Sequence, residues 1–277
     1  MKLPRYAKKS EYIGRGLETF NLSRALFSEI KNKLKKQKKV KLLEVGTGKG
    51  ILLLQLAEKF PKNLELHGLN LNKYHGLKKR EDFVINAKEK GISAPSKSNL
   101  PYIHFGDATN LNFKNGNFDI IISQVTFIHI KNKAQALTEV YRTLKTGGLA
   151  IISLGSYSIS RKIGHAMPAF YKNLNKKLKD EYNPRFLIKS GGKYISFNNF
   201  LLRLNKKYSI NLWRKKFVSK SQRGNVFYII IRKEKNGLLD INLKYNKKES
   251  EKLTKLYAEK NPVVFGCIDV YDLEEVQ

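Results

Sequence analysis

Glu44-Val45-Gly46-Thr47-Gly48-Lys49-Gly50 has the make-up of a ligand cradle. Glycine returns at every second position, and glycine is needed where backbone must approach a ligand or take φ > 0. Lys41 to Val45, just before it, reads as a short buried strand, and Ile51 to Phe60, just after it, as an amphipathic helix. A helix that starts directly after such a turn presents unpaired N–H groups and the positive end of its dipole. Strand, glycine turn and helix make the first half-unit of a nucleotide-binding α/β fold. The spacing excludes two ligand classes. A dinucleotide fingerprint needs glycine at the first, third and sixth positions, and here Ile51 stands sixth. A phosphate loop needs Ser or Thr after its lysine, and Lys49 is followed by Gly50.

The other candidate residues lie at the exits of further strands. Leu64 to Asn72 alternates into a second strand, with Asn70 and Asn72 at its end. Tyr102 to Ala108 is a third, leaving through Gly106-Asp107-Ala108, and Asn117 to Ser123 is a fourth, running into Gln124 to His129. Helices are expected over Leu17–Lys36, Asn72–Gly91 and Lys133–Leu144, the last capped by Gly147-Gly148. A fifth strand follows over Leu149–Leu154. Tyr208–Phe217 and Val226–Arg232 read as a closing hairpin that turns around Arg223-Gly224-Asn225, and a last helix covers Glu249–Lys260. In an open α/β sheet ligands gather at the carboxyl ends of the strands. That rule draws Asn70, Asp107 and Ser123 to His129 towards the glycine turn. His129 is the candidate for moving a proton.

Four segments in this order carry a family resemblance. Glu44-x-Gly46-x-Gly48-x-Gly50, Gly106-Asp107-Ala108, Phe118-Asp119 and Leu137-x-Glu139-x-x-Arg142-x-Leu144-Lys145-x-Gly147-Gly148 resemble the motifs of class I S-adenosylmethionine-dependent methyltransferases. The resemblance covers residues 40–154 and is nearest the broad branch that includes the quinone-biosynthesis methyltransferases. It implies a Rossmann-like, doubly wound, seven-stranded sheet, mostly parallel, ending in an antiparallel hairpin, with a helical cap. It implies a methyltransferase domain over 40–235 with a substrate cap at 155–207, an N-terminal arm and helix over 1–39 and a C-terminal extension over 236–277. The cofactor would be S-adenosyl-L-methionine, bound by Glu44, Gly46, Thr47, Gly48, Gly50, Asn70, Asp107, Ala108 and Ser123. Asp107 would accept from the adenine amine and the Ala108 N–H would meet the ring. The family carries Asp or Glu where this chain has Asn70, so the charge assistance to the ribose is lost. The arm, with Tyr6, Tyr12 and Arg15, could reach the site. His75 reads as a cap or surface residue.

The acceptor is narrowed by what is missing. Ser123-Gln124-Val125-Thr126 lacks the N/D-P-P-Y/F signature of transfer to nucleobase amines, and the single cysteine, Cys267, lies far from the position that cytosine-C5 transfer needs. One cysteine also excludes an internal disulfide and a cysteine-cluster metal site, so no metal is expected. No apolar run approaches a membrane span and no signal peptide is visible, which leads to the expectation of a cytoplasmic protein. The net charge is +31, and residues 156–235 hold 20 basic and 3 acidic side chains, net +17. That concentration suits RNA, whereas the excess of Lys over Arg suits a compositional bias. The cap, with Arg161, His165, Phe170, Tyr171 and Tyr182, could stack bases or line a small-molecule pocket. Three readings follow: a methyltransferase acting on a small-molecule or lipid-like acceptor, which branch and cap favour; an RNA methyltransferase; and a non-catalytic scaffold of this fold.

Overall fold

The computed structural model describes residues 15–73, 76–160, 185–218, 222–260 and 266–274. The first half of the chain forms α1 (Ser23–Leu34), β1 (Val40–Val45), α2 (Ile51–Lys59), β2 (Leu64–Asn70), α3 (Asp82–Glu89), β3 (Tyr102–Phe105), β4 (Phe118–Ser123), α4 (Lys133–Thr143) and β5 (Leu144–Ser160). The second half adds β6 (Phe186–Ser190), β7 (Lys193–Ile195), α5 (Phe197–Lys207), β8 (Ser209–Val218), β9 (Gln222–Arg232), β10 (Leu243–Tyr245), α6 (Lys247–Lys260) and β11 (Asp269–Leu273).

Seven strands form one sheet in the order β3-β2-β1-β4-β5-β9-β8. The first five are parallel, and β9 runs antiparallel to both β5 and β8. Side chains alternate across a strand, and the sheet is apolar on both faces. Leu42, Ile120, Ile122 and Ile151 point to the face covered by α1, α2 and α3, where Leu26, Ile30, Leu53, Phe83 and Ala87 meet them. Leu43, Ile121, Ala150 and Ile152 point to the other face, against α4 and α5. Each fully buried Leu, Ile or Phe among them is worth about 1.5–3 kcal/mol of burial. Chain order reverses between β1 and β4, so the crevice at their carboxyl ends is the switch point of the sheet.

The periodicity did not foresee a second sheet, of four strands in the order β10-β11-β6-β7. Strand β11 pairs in parallel with β6, from Asp269 opposite Phe186 to Asp272 opposite Lys189. The C-terminal extension is therefore woven into the segment after β5, and α6 packs on β11, where Val270 N donates to Ser250 Oγ at 2.8 Å.

Several boundaries differ from the expectations. Helix 72–91 shrinks to α3, because Gly76 (φ +108) lies against Gly48 and Leu77 N donates to Gly48 O at 3.0 Å, which holds residues 76 and 77 out of helix. Gly147-Gly148 is not a helix cap. Helix α4 ends at Thr143, and the glycines exchange backbone hydrogen bonds with Lys233 inside the sheet. Arg223 to Asn225 lie within β9, paired with Val218 to Lys216, rather than in the turn. The arm with Tyr6 and Tyr12, His75, and the stretch from Arg161 to Tyr182 lie outside the described residues. Among the described residues no helix is long and apolar enough to cross a membrane, and no cluster of three or more metal-ligating side chains forms.

Candidate active site

The glycine turn hangs from the end of β2, with Gly46 N and Thr47 N both donating to Leu69 O at 2.7 and 3.0 Å. Gly46, Gly48 and Gly50 all have positive φ, at 76°, 57° and 74°. Beyond that shared need, their surroundings differ. A Cβ on Gly46 would fall 1.9 Å from Thr126 Oγ1, and one on Gly50 would fall 2.2 Å from the Phe83 ring. A Cβ on Gly48 would meet nothing within 4 Å. The outer glycines permit packing, and the middle one borders open space.

Glu44, at 3% exposure, lies beneath the turn and accepts from Thr47 Oγ1 at 2.7 Å. Burial pushes its carboxyl up to about 8, only partly offset by the Thr47 hydrogen bond. Asn70 is equally buried, and its amide is engaged with Gly48: Gly48 N donates to Oδ1 at 2.8 Å and Nδ2 donates to Gly48 O at 3.0 Å. Asp107 is exposed, with Oδ1 accepting from both Thr109 N and Thr109 Oγ1 at 2.8 and 2.9 Å. Ala108 next to it is buried. A cavity of about 240 Å³ opens beside this loop, between Leu69, His104, Phe105, Asp107, Leu111 and Phe113.

The exit of β4 completes the crevice. Ser123 is fully buried and donates to Val45 O at 2.9 Å, so its hydroxyl ties β4 to β1. Gln124 Nε2 donates to Thr19 Oγ1 at 2.7 Å, while its Oε1 is buried without a hydrogen-bond partner among the described residues. Val125 has φ +67°, a left-handed conformation that a β-branched residue adopts only at a cost of about 1–3 kcal/mol. The 3-10 turn Thr126–Ile128 follows, and Thr126 Oγ1 donates to Gly46 O at 3.2 Å. His129 is exposed at its end. The sequence singled out neither Val125 as strained nor Gln124 as an unsatisfied acceptor, since neither property shows in residue type or spacing.

Two of the motifs prove to be clamps around this crevice. Glu139 accepts from Leu111 N at 2.7 Å, and Arg142 donates to Leu111 O at 2.7 Å and Phe113 O at 2.8 Å. The two pair with each other at 2.7 Å, and the guanidinium holds the Glu139 carboxyl below its usual range. Together they fix the loop that carries Asp107. Asp119 accepts from Lys41 N and Lys145 Nζ, both at 2.9 Å, and so joins β4 to its neighbours. On the far side, Cys267 N donates to Ile128 O at 2.6 Å, bringing the C-terminal segment against the turn that carries His129.

A family model described as a methyltransferase domain matches residues 43–152. The biotin biosynthesis bifunctional protein BioHC of Teredinibacter turnerae is 31% identical over 115 residues, which are 41% of this chain and 19% of that protein. The ubiquinone/menaquinone biosynthesis C-methyltransferase UbiE of Geotalea daltonii is 25% identical over 149 residues, 54% of this chain and 57% of that protein. The chain thus spans less than two thirds of the length of these curated relatives. Among solved structures, CrArsM, an arsenic(III) S-adenosylmethionine methyltransferase from Chlamydomonas reinhardtii, matches at 18% identity with a TM-score of 0.45, over 74% of this chain and 67% of that one. Residues 43–152 of this chain match a methyltransferase domain, and that match spans the glycine turn and the exits of β2, β3 and β4.

Proposed function

We propose that the protein transfers a methyl group from S-adenosylmethionine to a small-molecule or lipid-like acceptor. The observation that carries the reading is the glycine turn at the switch point of the sheet, whose middle glycine borders open space. The residues present fit the cofactor. Gly48 leaves room for it, Asp107 keeps an exposed carboxylate for a donor amine, and the orphaned Gln124 Oε1 supplies an acceptor for an ammonium group. Glu44, Thr47, Gly46 and Gly50 shape the turn, and Ser123 fixes β4 against β1 beneath it. When bound, S-adenosylmethionine supplies a methyl group on a sulfonium, a ready electrophile for in-line attack. The chain then has only to position the acceptor and take up its proton. His129, exposed at the end of the turn that follows β4, is the group proposed for that proton. The relatives' names place them in biotin and quinone biosynthesis, which supports a small acceptor. The net +17 of residues 156–235 supports the second reading, an RNA acceptor.

Methyl-labelled S-adenosylmethionine, the purified protein and a cell extract test both. The extract is afterwards separated into RNA, protein and organic-soluble fractions. Label in the organic or small-molecule fraction is the expected result. Label in RNA would replace this reading with the second, and no label anywhere would favour a non-catalytic scaffold. Gly48→Val is the control. Its side chain enters the open space, and a left-handed backbone at a β-branched residue costs about 1–3 kcal/mol. The variant should fold and transfer no label.

A further inference from the structure

Asn70 stands where the family carries an acid, and the structure explains why an amide works there. Its side chain makes two hydrogen bonds to the same residue, accepting from Gly48 N at 2.8 Å and donating to Gly48 O at 3.0 Å. Gly48 O also accepts from Leu77 N at 3.0 Å, and Gly76 packs so close that a Cβ there would fall 2.1 Å from that oxygen. An amide offers a donor and an acceptor at once, whereas an ionised carboxylate offers acceptors only. An Asp at this position would set one oxygen against the Gly48 N–H and the other against the Gly48 carbonyl, in a place that is 3% exposed.

We infer that Asn70 is a positioning residue that locks the glycine turn around Gly48, and that in this chain the acid typical of the family would weaken cofactor binding rather than strengthen it. The inference rests on the reading of the glycine turn as the S-adenosylmethionine site. After its bonds to Gly48, the amide keeps one N–H and one lone pair for a ligand. The missing charge at position 70 is therefore matched to a turn and a 76–77 segment built to meet an amide.

The test compares Asn70→Asp with the wild type at pH 8 and pH 5, by thermal midpoint without cofactor and by equilibrium binding of S-adenosylmethionine. At pH 8 the variant should bind at least tenfold more weakly and melt lower. Burial raises the pKa of an Asp at this place above the ordinary value of about 3.9, and once protonated at pH 5 it presents one O–H and one carbonyl, the pattern of the amide, so both differences should shrink. Glu44 on β1, Lys49 in the turn, Lys73 after β2 and Asp107 after β3 are common to both proteins, so the difference between the two isolates position 70. Equal or tighter binding by the variant at pH 8 would overturn the inference, as would a melting difference that is the same at both pH values. Asn70→Ser removes the amide without adding charge. It should bind the cofactor more tightly than Asn70→Asp at pH 8 and at least fivefold more weakly than the wild type, and wild-type affinity in it would also overturn the inference. The melting comparison needs no cofactor. A wild type that fails to bind S-adenosylmethionine would therefore sink the site reading and still leave Asn70 decided.

Discussion

Glu44 is a carboxyl group that water does not reach, with one hydroxyl for company. Its folded state holds the proton up to about pH 8, against an ordinary value of 4.5. The sign follows from linkage: an acid whose affinity for protons rises on folding stabilises the fold at low pH. That contribution is complete below about 4.5 and is lost as pH climbs towards about 8. Glu44→Gln keeps an oxygen for Thr47 and removes the ionisation. The two proteins should melt together near pH 5, and the variant should gain steadily over the wild type up to pH 8. A melting difference that is flat with pH would mean that Glu44 is already ionised in the fold. At this scale the sequence told residue types apart better than roles. Glycine spacing at 46, 48 and 50 was legible because only glycine meets a positive φ there cheaply. Asp119, Glu139 and Arg142 carry charge and stand in motifs, yet their partners are backbone groups of other segments, Lys41 in one case and Leu111 in the other two. Nothing in a residue's neighbours along the chain announces such a bond.

Strands β1 and β4 were readable as short stretches buried on both faces, β2 by the alternation of Leu64 and Leu66 with Glu65 and His67, and β9 by its apolar run from Val226 to Ile231. The second sheet was not readable, since β6 and β7 are short and β11, which pairs with β6, lies far along the chain, with Asp269 opposite Phe186. A buried polar knot locks that sheet to α4. Asp269 Oδ2 accepts from Lys133 N at 2.7 Å, from Tyr271 Oη at 2.9 Å, and pairs with Lys133 Nζ at 3.3 Å. The same ammonium donates to Ile130 O at 2.9 Å and Cys267 O at 3.0 Å, and both charged side chains are 0% exposed. Removing one partner strands the other charge in the interior, which costs about 3–5 kcal/mol. Asp269→Ala should therefore lower unfolding free energy by about that amount. The double variant Asp269→Leu with Lys133→Met should lose less than the sum of the two single changes, because it leaves no buried charge behind. Denaturant unfolding of the four proteins reads the coupling, and simple additivity would show that the pair does not interact. Ile130 follows the turn that bears His129, so under the proposed reading the weakened variants should also lose methyl transfer before they lose cofactor binding.

The charge of the whole chain, +31, is spread unevenly, and its densest part, residues 156–235, follows the stretch that the family model matches. Among the described residues, Arg203, Lys206 and Lys207 on α5 and Arg214 and Lys215 on β8 are exposed. A field of that sign attracts any polyanion, whatever the acceptor is. Attraction alone leaves a definite mark: binding that releases counterions weakens linearly in log salt, and six or more phosphate contacts lose about 10³-fold or more between 50 and 200 mM. Under the small-molecule reading, RNA should bind with that steep slope and with no preference among sequences. It should also leave S-adenosylmethionine affinity unchanged at 200 mM salt. Filter binding of several unrelated RNAs across a salt series, with cofactor binding measured alongside, is the check. A shallow slope with strong preference for one RNA would mean contacts to bases rather than phosphates, because only base contacts carry sequence information. In that event the aromatic and basic residues after β5 would be an acceptor site, and the substrate would be nucleic acid.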